Sequence, residues 1–88
     1  MKYKVLYHKH LQKDLKKLEP KIISSFFKEI NKISINPYCG IKLRGKYANL
    51  WKYRIGNFRI IYSIHNKELR ILILRFKHRK DVYDNILF

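Results

Sequence analysis

Gly56-Asn57 separates two runs of alternating residues, LWKYRI (50–55) and FRIIYSI (58–64). A two-residue linker of this kind between such runs signals a tight β-hairpin. Fixing the turn also fixes the register, with Ile55 opposite Phe58 and Arg54 opposite Arg59. The two-residue period of a strand then sorts the side chains. Trp51, Tyr53, Ile55, Phe58, Ile60, Tyr62 and Ile64 share one face, which is apolar and has to be covered. Lys52, Arg54, Arg59, Ile61 and Ser63 share the other.

The cover lies upstream. Leu11, Leu15 and Leu18 recur at helical spacing over 9–19. Pro20 ends that helix and suits the first position of the next. The second helix, over 20–34, carries Ile22, Ile23, Phe26, Phe27, Ile30 and Ile33 on one face. Two short adjacent helices predict an antiparallel pair. Residues 2–7 read as a short strand, Asn36-Pro37 and Gly40 as a loop, Leu69–Phe76 as a third sheet strand, and 79–87 as a short C-terminal helix. In the third strand Leu69, Ile71 and Ile73 continue the core face, while Leu72 and Leu74 point to the other. The expected class is α+β: an N-terminal strand, a helical hairpin packed on a small antiparallel sheet, and a short terminal helix. Residues 1–88 form one domain, with no repeat or linker.

The apolar content of 47% and aromatic content of 15% exclude a disordered basic tail. Cys39, the one cysteine, excludes an internal disulfide and fits a reducing cytoplasm. The N-terminal MKYKVLYHKH is too charged for a signal peptide, and no apolar run approaches the ~18 residues of a membrane span.

Charge narrows the function. Twenty-one Lys and Arg stand against six Asp and Glu, a formal +15. Such a chain calls for a polyanion or an acidic protein partner. All six arginines lie between Arg44 and Arg79, and arginine suits bidentate phosphate contact. Arg54 directly opposite Arg59 costs stability by like-charge repulsion, which an anion bound between them relieves; a solvated basic face is the plainer alternative. Lys77, His78, Arg79 and Lys80 add charge near the end of the third sheet strand, and Tyr83 follows.

Other constellations carry less. There is no Gly-rich phosphate loop and no Cys/His spacing for a metal, so no cofactor is expected. His8, His10 and His65 read as surface residues, Cys39 as a small loop residue, and Trp51 and Tyr53 as core. Asp81 and Asp84 read as helix-start charges or local partners for Arg and Lys.

Lys42-Leu43-Arg44-Gly45, the run LWKYRIGNFRIIYSI (50–64) and HRKDVY (78–83) together resemble the RelE/ParE toxin superfamily. The resemblance spans essentially the whole chain, and the order and spacing of these short segments give it its specificity. It implies a toxin of a type II toxin–antitoxin pair. RelE-type members are metal-independent endoribonucleases that cleave messenger RNA in the ribosomal A site and so block translation. The residues matching the family's basic and terminal positions are Lys52, Arg54, Arg59, Lys77 and Tyr83. Arg54 stands where lysine is frequent and Lys77 where arginine is typical. His78 and Arg79 are further candidates, and Lys42, Arg44, Lys46 and Lys80 are candidates for RNA backbone contact.

The implied reaction is attack of a ribose 2′-OH on the adjacent phosphorus, leaving a 2′,3′-cyclic phosphate and a 5′-OH. In it Arg54 and Arg59 stabilise phosphoryl charge, Lys52 assists proton removal or binds phosphate, and Lys77 serves the leaving oxygen. Tyr83 orients the 2′-OH or stacks near the base. The implied partners are an acidic RelB-like antitoxin, in a higher oligomer, and the ribosome with its message. Two alternatives remain open: a ParE-like toxin that inhibits DNA gyrase by binding, and a plain RNA-binding module. The second would interleave exposed aromatics with charges, whereas these aromatics segregate to the core face.

Overall fold

The computed structural model describes residues 2–78. The expected terminal helix and the candidates Arg79, Lys80 and Tyr83 lie outside the described residues. Strands β3 (Leu50–Ile55) and β4 (Phe58–His65) pair antiparallel in the register the turn dictates, from Ile55 opposite Phe58 to Leu50 opposite Ser63. Gly56 takes φ 56° there, a left-handed conformation that glycine adopts without steric cost. Strand β5 (Arg70–His78) continues the antiparallel ladder beyond β4. It begins at Arg70 rather than Leu69, because Leu69 closes the preceding turn in the left-handed conformation.

The α+β class holds, and the sheet extends further than an antiparallel meander. Strand β1 (Lys4–Tyr7) pairs parallel with β5, and a two-residue β2 (Ile41–Lys42) pairs antiparallel with β3. The order is β1-β5-β4-β3-β2, a mixed five-stranded sheet. The parallel pair arises because the chain's first strand is laid beside its last, with the helices forming part of the crossover between them.

Helix α1 (Lys9–Lys16) starts at His8, whose ring accepts the His10 amide at 3.1 Å. His8 is thus a structural residue, capping the helix. Helix α2 (Pro20–Ile35) has its proline in the first turn and stops before Pro37, which disfavours helical geometry at Asn36. Among the described residues no helix is long and apolar enough to cross a membrane.

The helices cover one sheet face. Leu11, Phe26, Ile30, Ile33, Ile60, Tyr62, Ile71, Ile73 and Phe76 form the main core, with Trp51, Tyr53, Ile55, Phe58 and Ile64 packed against it. Each large side chain so buried contributes on the order of 1.5–3 kcal/mol. The opposite face carries a smaller cluster, Leu50, Ile61 and Leu74, flanked by Leu43, Tyr47 and Leu72. Lys52, Arg54, Arg59 and Lys77 lie on that face as well.

A bulge in β5 decides where its basic residues go. Ile61 pairs with Arg75, but the next β4 residue, Tyr62, pairs with Ile73, leaving Leu74 as an extra residue. An inserted residue resets the alternation. Without it, Ile71 and Ile73 on the helix face would be followed there by Arg75 and Lys77. With it, Phe76 enters the core and Lys77 emerges opposite Arg59.

Candidate active site

Three strands bring three cations into one lateral row. Arg54 on β3 faces Arg59 on β4, and Arg59 in turn faces Lys77 on β5. Neighbouring strands lie about 4.8 Å apart, so the three residues are neighbours across one sheet face; Arg54 and Arg59 share a cleft that Lys77 does not line. The row two residues along contains Ile41, Lys52, Ile61 and Arg75. Four of the five residues to which the resemblance gives roles, Lys52, Arg54, Arg59 and Lys77, therefore share the sheet face away from the helices.

Arg59 is only 9% exposed. Its guanidinium makes one long hydrogen bond, donated to the Phe58 carbonyl at 3.5 Å. Arg54 donates to the Gly56 carbonyl at 3.4 Å. Neither arginine is paired with a carboxylate among the described residues. A largely buried, uncompensated arginine beside another arginine is unfavourable in the free protein, and a bound anion offsets that cost.

Lys52, Arg54 and Arg59 form the basic wall of a cleft of about 380 Å³. Cys39, Gly40, Ile41 and Tyr53 complete its lining. Among the described residues no acidic side chain lines it. The volume falls within the roughly 300–1,000 Å³ of small-ligand clefts. The Tyr53 hydroxyl donates to Glu29 at 2.6 Å, and Lys32 pairs with the same carboxylate at 3.4 Å. The bond to Glu29, with burial, pushes Tyr53 up to about 12. The same bond holds Glu29 below the usual carboxylate range. Tyr53 thus stays protonated near neutrality and is no proton acceptor. Among the described residues no group of His, Cys, Asp and Glu is arranged to hold a metal ion.

The remaining sequence candidates scatter. His78 pairs with Phe58 and stacks edge-on against it at 5.5 Å, which puts it on the helix-facing side, away from the arginine row. Lys42 pairs with Trp51 and so falls on the same helix-facing side at the sheet edge. Arg44 precedes a 3-10 turn at Gly45–Tyr47 and Lys46 lies within it, with Lys46 5.3 Å from the Tyr47 ring, beside the smaller apolar cluster.

Two features of this region escaped the sequence reading. Asp14 on α1 accepts from Arg75 through both oxygens, at 2.9 Å each, and from the Phe76 amide at 3.1 Å. It anchors β5 one residue before Lys77. The other is the lip of the cleft at 39–41. A Cβ on Gly40 would collide with the Tyr62 hydroxyl and lie 2.6 Å from the Lys52 carbonyl. Asp14 gave no sequence signal beyond being the sole acid of its helix. The Gly40 contact depends on a residue 22 positions away in sequence.

Comparison with known proteins agrees with this architecture. The profile of the family described as "ParE toxin of type II toxin-antitoxin system, parDE" matches residues 5–83. Toxin RelG of Mycobacterium tuberculosis is 32% identical over 85 residues, covering 94% of this chain and 98% of its own length. Among solved structures, a chain of the toxin–antitoxin complex RelBE2 from M. tuberculosis superposes with a TM-score of 0.85 at 30% identity, covering 92% of this chain and 95% of that one. A chain of the archaeal RelE–RelB complex from Pyrococcus horikoshii gives 0.77 at 31% identity, covering 90% and 97%. The mixed sheet with two covering helices and a basic opposite face is thus the fold of a type II toxin. The chain belongs to the RelE/ParE toxin superfamily.

Proposed function

We propose that this toxin is a ribosome-dependent endoribonuclease that cleaves messenger RNA by attack of a 2′-OH on the adjacent phosphorus. The observation that carries the reading is the lateral row Arg54–Arg59–Lys77, with Lys52 in the next row at the basic wall of the cleft. Four basic residues on one sheet face match a phosphoryl group whose charge grows in the transition state. Preorganised donors at such a site are each worth on the order of 10²–10³ in rate.

In this scheme Arg54 and Arg59 bind the non-bridging oxygens. Lys52 assists removal of the 2′-OH proton or binds phosphate. Lys77 supplies charge or a proton to the departing 5′ oxygen. Tyr83 orients the attacking nucleotide. The P–O5′ bond breaks as the P–O2′ bond forms, giving a 2′,3′-cyclic phosphate and a 5′-OH. Lysine is an inefficient base at neutral pH, so placement of the message by the ribosome supplies much of the acceleration. The RelE names of the relatives support this activity class. An acidic RelB-like antitoxin, in a higher oligomer, is the matching inhibitor, and the setting is the cytoplasm, where ribosomes work.

The family description names ParE, so gyrase inhibition by binding is the competing activity. Brief expression followed by 5′-end mapping of cellular RNA separates the two. The ribonuclease reading expects new 5′-OH ends clustered within codons, lost in Arg59→Ala. Supercoiling inhibition by the purified toxin without new RNA ends would overturn it.

A further inference from the structure

Ile41 is 64% exposed, the most exposed of the large apolar side chains described. Single exposed apolar residues are ordinary; the setting of this one is not. Ile41 pairs with Lys52 across β2 and β3 and lines the cleft that Lys52, Arg54 and Arg59 wall on their side. The segment leading to it is pinned from several directions. Asn36 accepts the Tyr38 amide through its side chain and the Cys39 amide through its carbonyl. The Tyr62 hydroxyl donates to the Pro37 carbonyl at 2.7 Å, Tyr38 packs edge-on against Trp51 at 5.5 Å, and Gly40 sits too close to Tyr62 and Lys52 to carry a Cβ. Such a backbone cannot readily fold Ile41 back to cover itself. It holds an apolar side chain in water at the edge of a cationic site.

A nucleotide has both matching parts, an anionic phosphate and a flat base with apolar faces. We propose that Ile41, carried on the 36–41 segment, is the nucleobase-contacting lip of the cleft, a subsite for the base next to the scissile phosphate. The inference rests on the ribonuclease reading and adds a second half to its site. The arginine row fixes the phosphate, and the lip fixes the base by apolar contact that every base offers on its π-face. The subsite therefore favours presence of a base over its identity. Its contribution is made in ground state and transition state alike, so it sets the concentration needed for half-maximal rate rather than the maximal rate.

The test uses the full chain and ribosomes programmed with synthetic messages, intact or with one abasic nucleotide at each A-site position in turn. Single-turnover rates are measured against ribosome concentration. For the wild type, one abasic position should raise the half-saturating concentration about tenfold, the scale of a lost base contact, with the maximal rate kept. Ile41→Ala should show the same rise on the intact message and no further rise on that abasic message, while Ile41→Leu stays near wild type. The exposure of Ile41 leaves folding intact in these variants, which thermal unfolding verifies. Independent, multiplicative effects of the variant and the abasic site, or wild-type behaviour of Ile41→Ala, would overturn the lip. Failure of the wild type to cleave any message, with gyrase inhibited instead, would remove the ribonuclease reading and the lip with it.

Discussion

The Asp14 carboxylate clasps the Arg75 guanidinium through two hydrogen bonds of 2.9 Å, one from Nε and one from Nη2. One of its oxygens also accepts the Phe76 amide. Strand β1 ends at Tyr7, so among the described residues β5 has no strand partner on that side beyond Ile73. A side chain from α1 takes the place of the missing strand. The pair is largely withdrawn from water, with side-chain exposures of 12% and 8%, and the carboxylate holds the Arg75 pKa above its ordinary value.

Asp14→Ala should therefore be strongly destabilising, because it removes the acceptor of two Arg75 hydrogen bonds and of the Phe76 amide together. A loss of about 3 kcal/mol is expected, the scale for breaking one side of a buried pair. Asp14→Asn retains one acceptor oxygen and should lose less. Urea unfolding of the two variants checks this ordering, and a loss below about 1 kcal/mol for the alanine variant would reduce the pair to a surface contact.

Arg59→Ala should keep or slightly raise stability, by a few tenths of a kcal/mol, since it removes like-charge repulsion from Arg54. Burial of Arg59 without a carboxylate partner points the same way. Cleavage on programmed ribosomes should fall by roughly 10²–10³. Paired thermal unfolding and single-turnover assays decide it: an unfolded variant makes Arg59 structural, and a folded variant at wild-type rate removes it from the site.

Gly40→Ala should distort the lip. The added Cβ meets the Tyr62 hydroxyl and lies 2.6 Å from the Lys52 carbonyl, and Tyr62 is fully buried and bonded to Pro37. Overpacking against groups that cannot retreat costs about 1–3 kcal/mol. Chemical denaturation measures that cost. Unchanged stability would mean that the loop moves aside freely, against the rigid lip described above.

Tyr53→Phe tests the tie between β3 and α2. A loss of about 1 kcal/mol is expected near neutrality, since a hydrogen bond to a carboxylate is removed. The pH dependence has two limits. Glu29 is depressed in the fold, so its contribution is complete above the unfolded carboxylate range and is lost as pH falls through the lower folded value. Tyr53 is raised to about 12, so its contribution is complete below its ordinary pKa of 10.0 and is lost as pH rises from there towards 12. The difference between wild type and variant, followed by unfolding at several pH values, should shrink at both ends. A difference constant from acid to alkaline pH would show that Tyr53 acts by packing alone.

Much of the site could be read from the chain because it is written in local rules. The turn at Gly56-Asn57 sets the pairing of residues within fifteen positions of each other, and strand alternation then puts Arg54 and Arg59 on one face and Trp51, Tyr53, Ile60 and Tyr62 on the other. The leucine and isoleucine periodicities of 9–34 likewise specify two helices with an apolar side, because helix geometry repeats within a few residues.

Contacts between distant segments were settled by packing. Nothing near residues 4–7 announces a parallel pairing with 70–73, since parallel strands need a crossover whose closure depends on the whole chain. The location of Lys77 is the sharpest case. Simple alternation from Ile71 and Ile73 would send it to the helix side; the bulge at Leu74 sends it to Arg59 instead. With that shift, Phe76 enters the core, Arg75 reaches Asp14 and Lys77 joins the cation row. The sequence alone determined the helices, the hairpin, its two faces and the excess of positive charge, because each follows from neighbours along the chain. The tertiary structure decided which cations meet and what apolar lip stands beside them, because those depend on how segments tens of residues apart share one sheet.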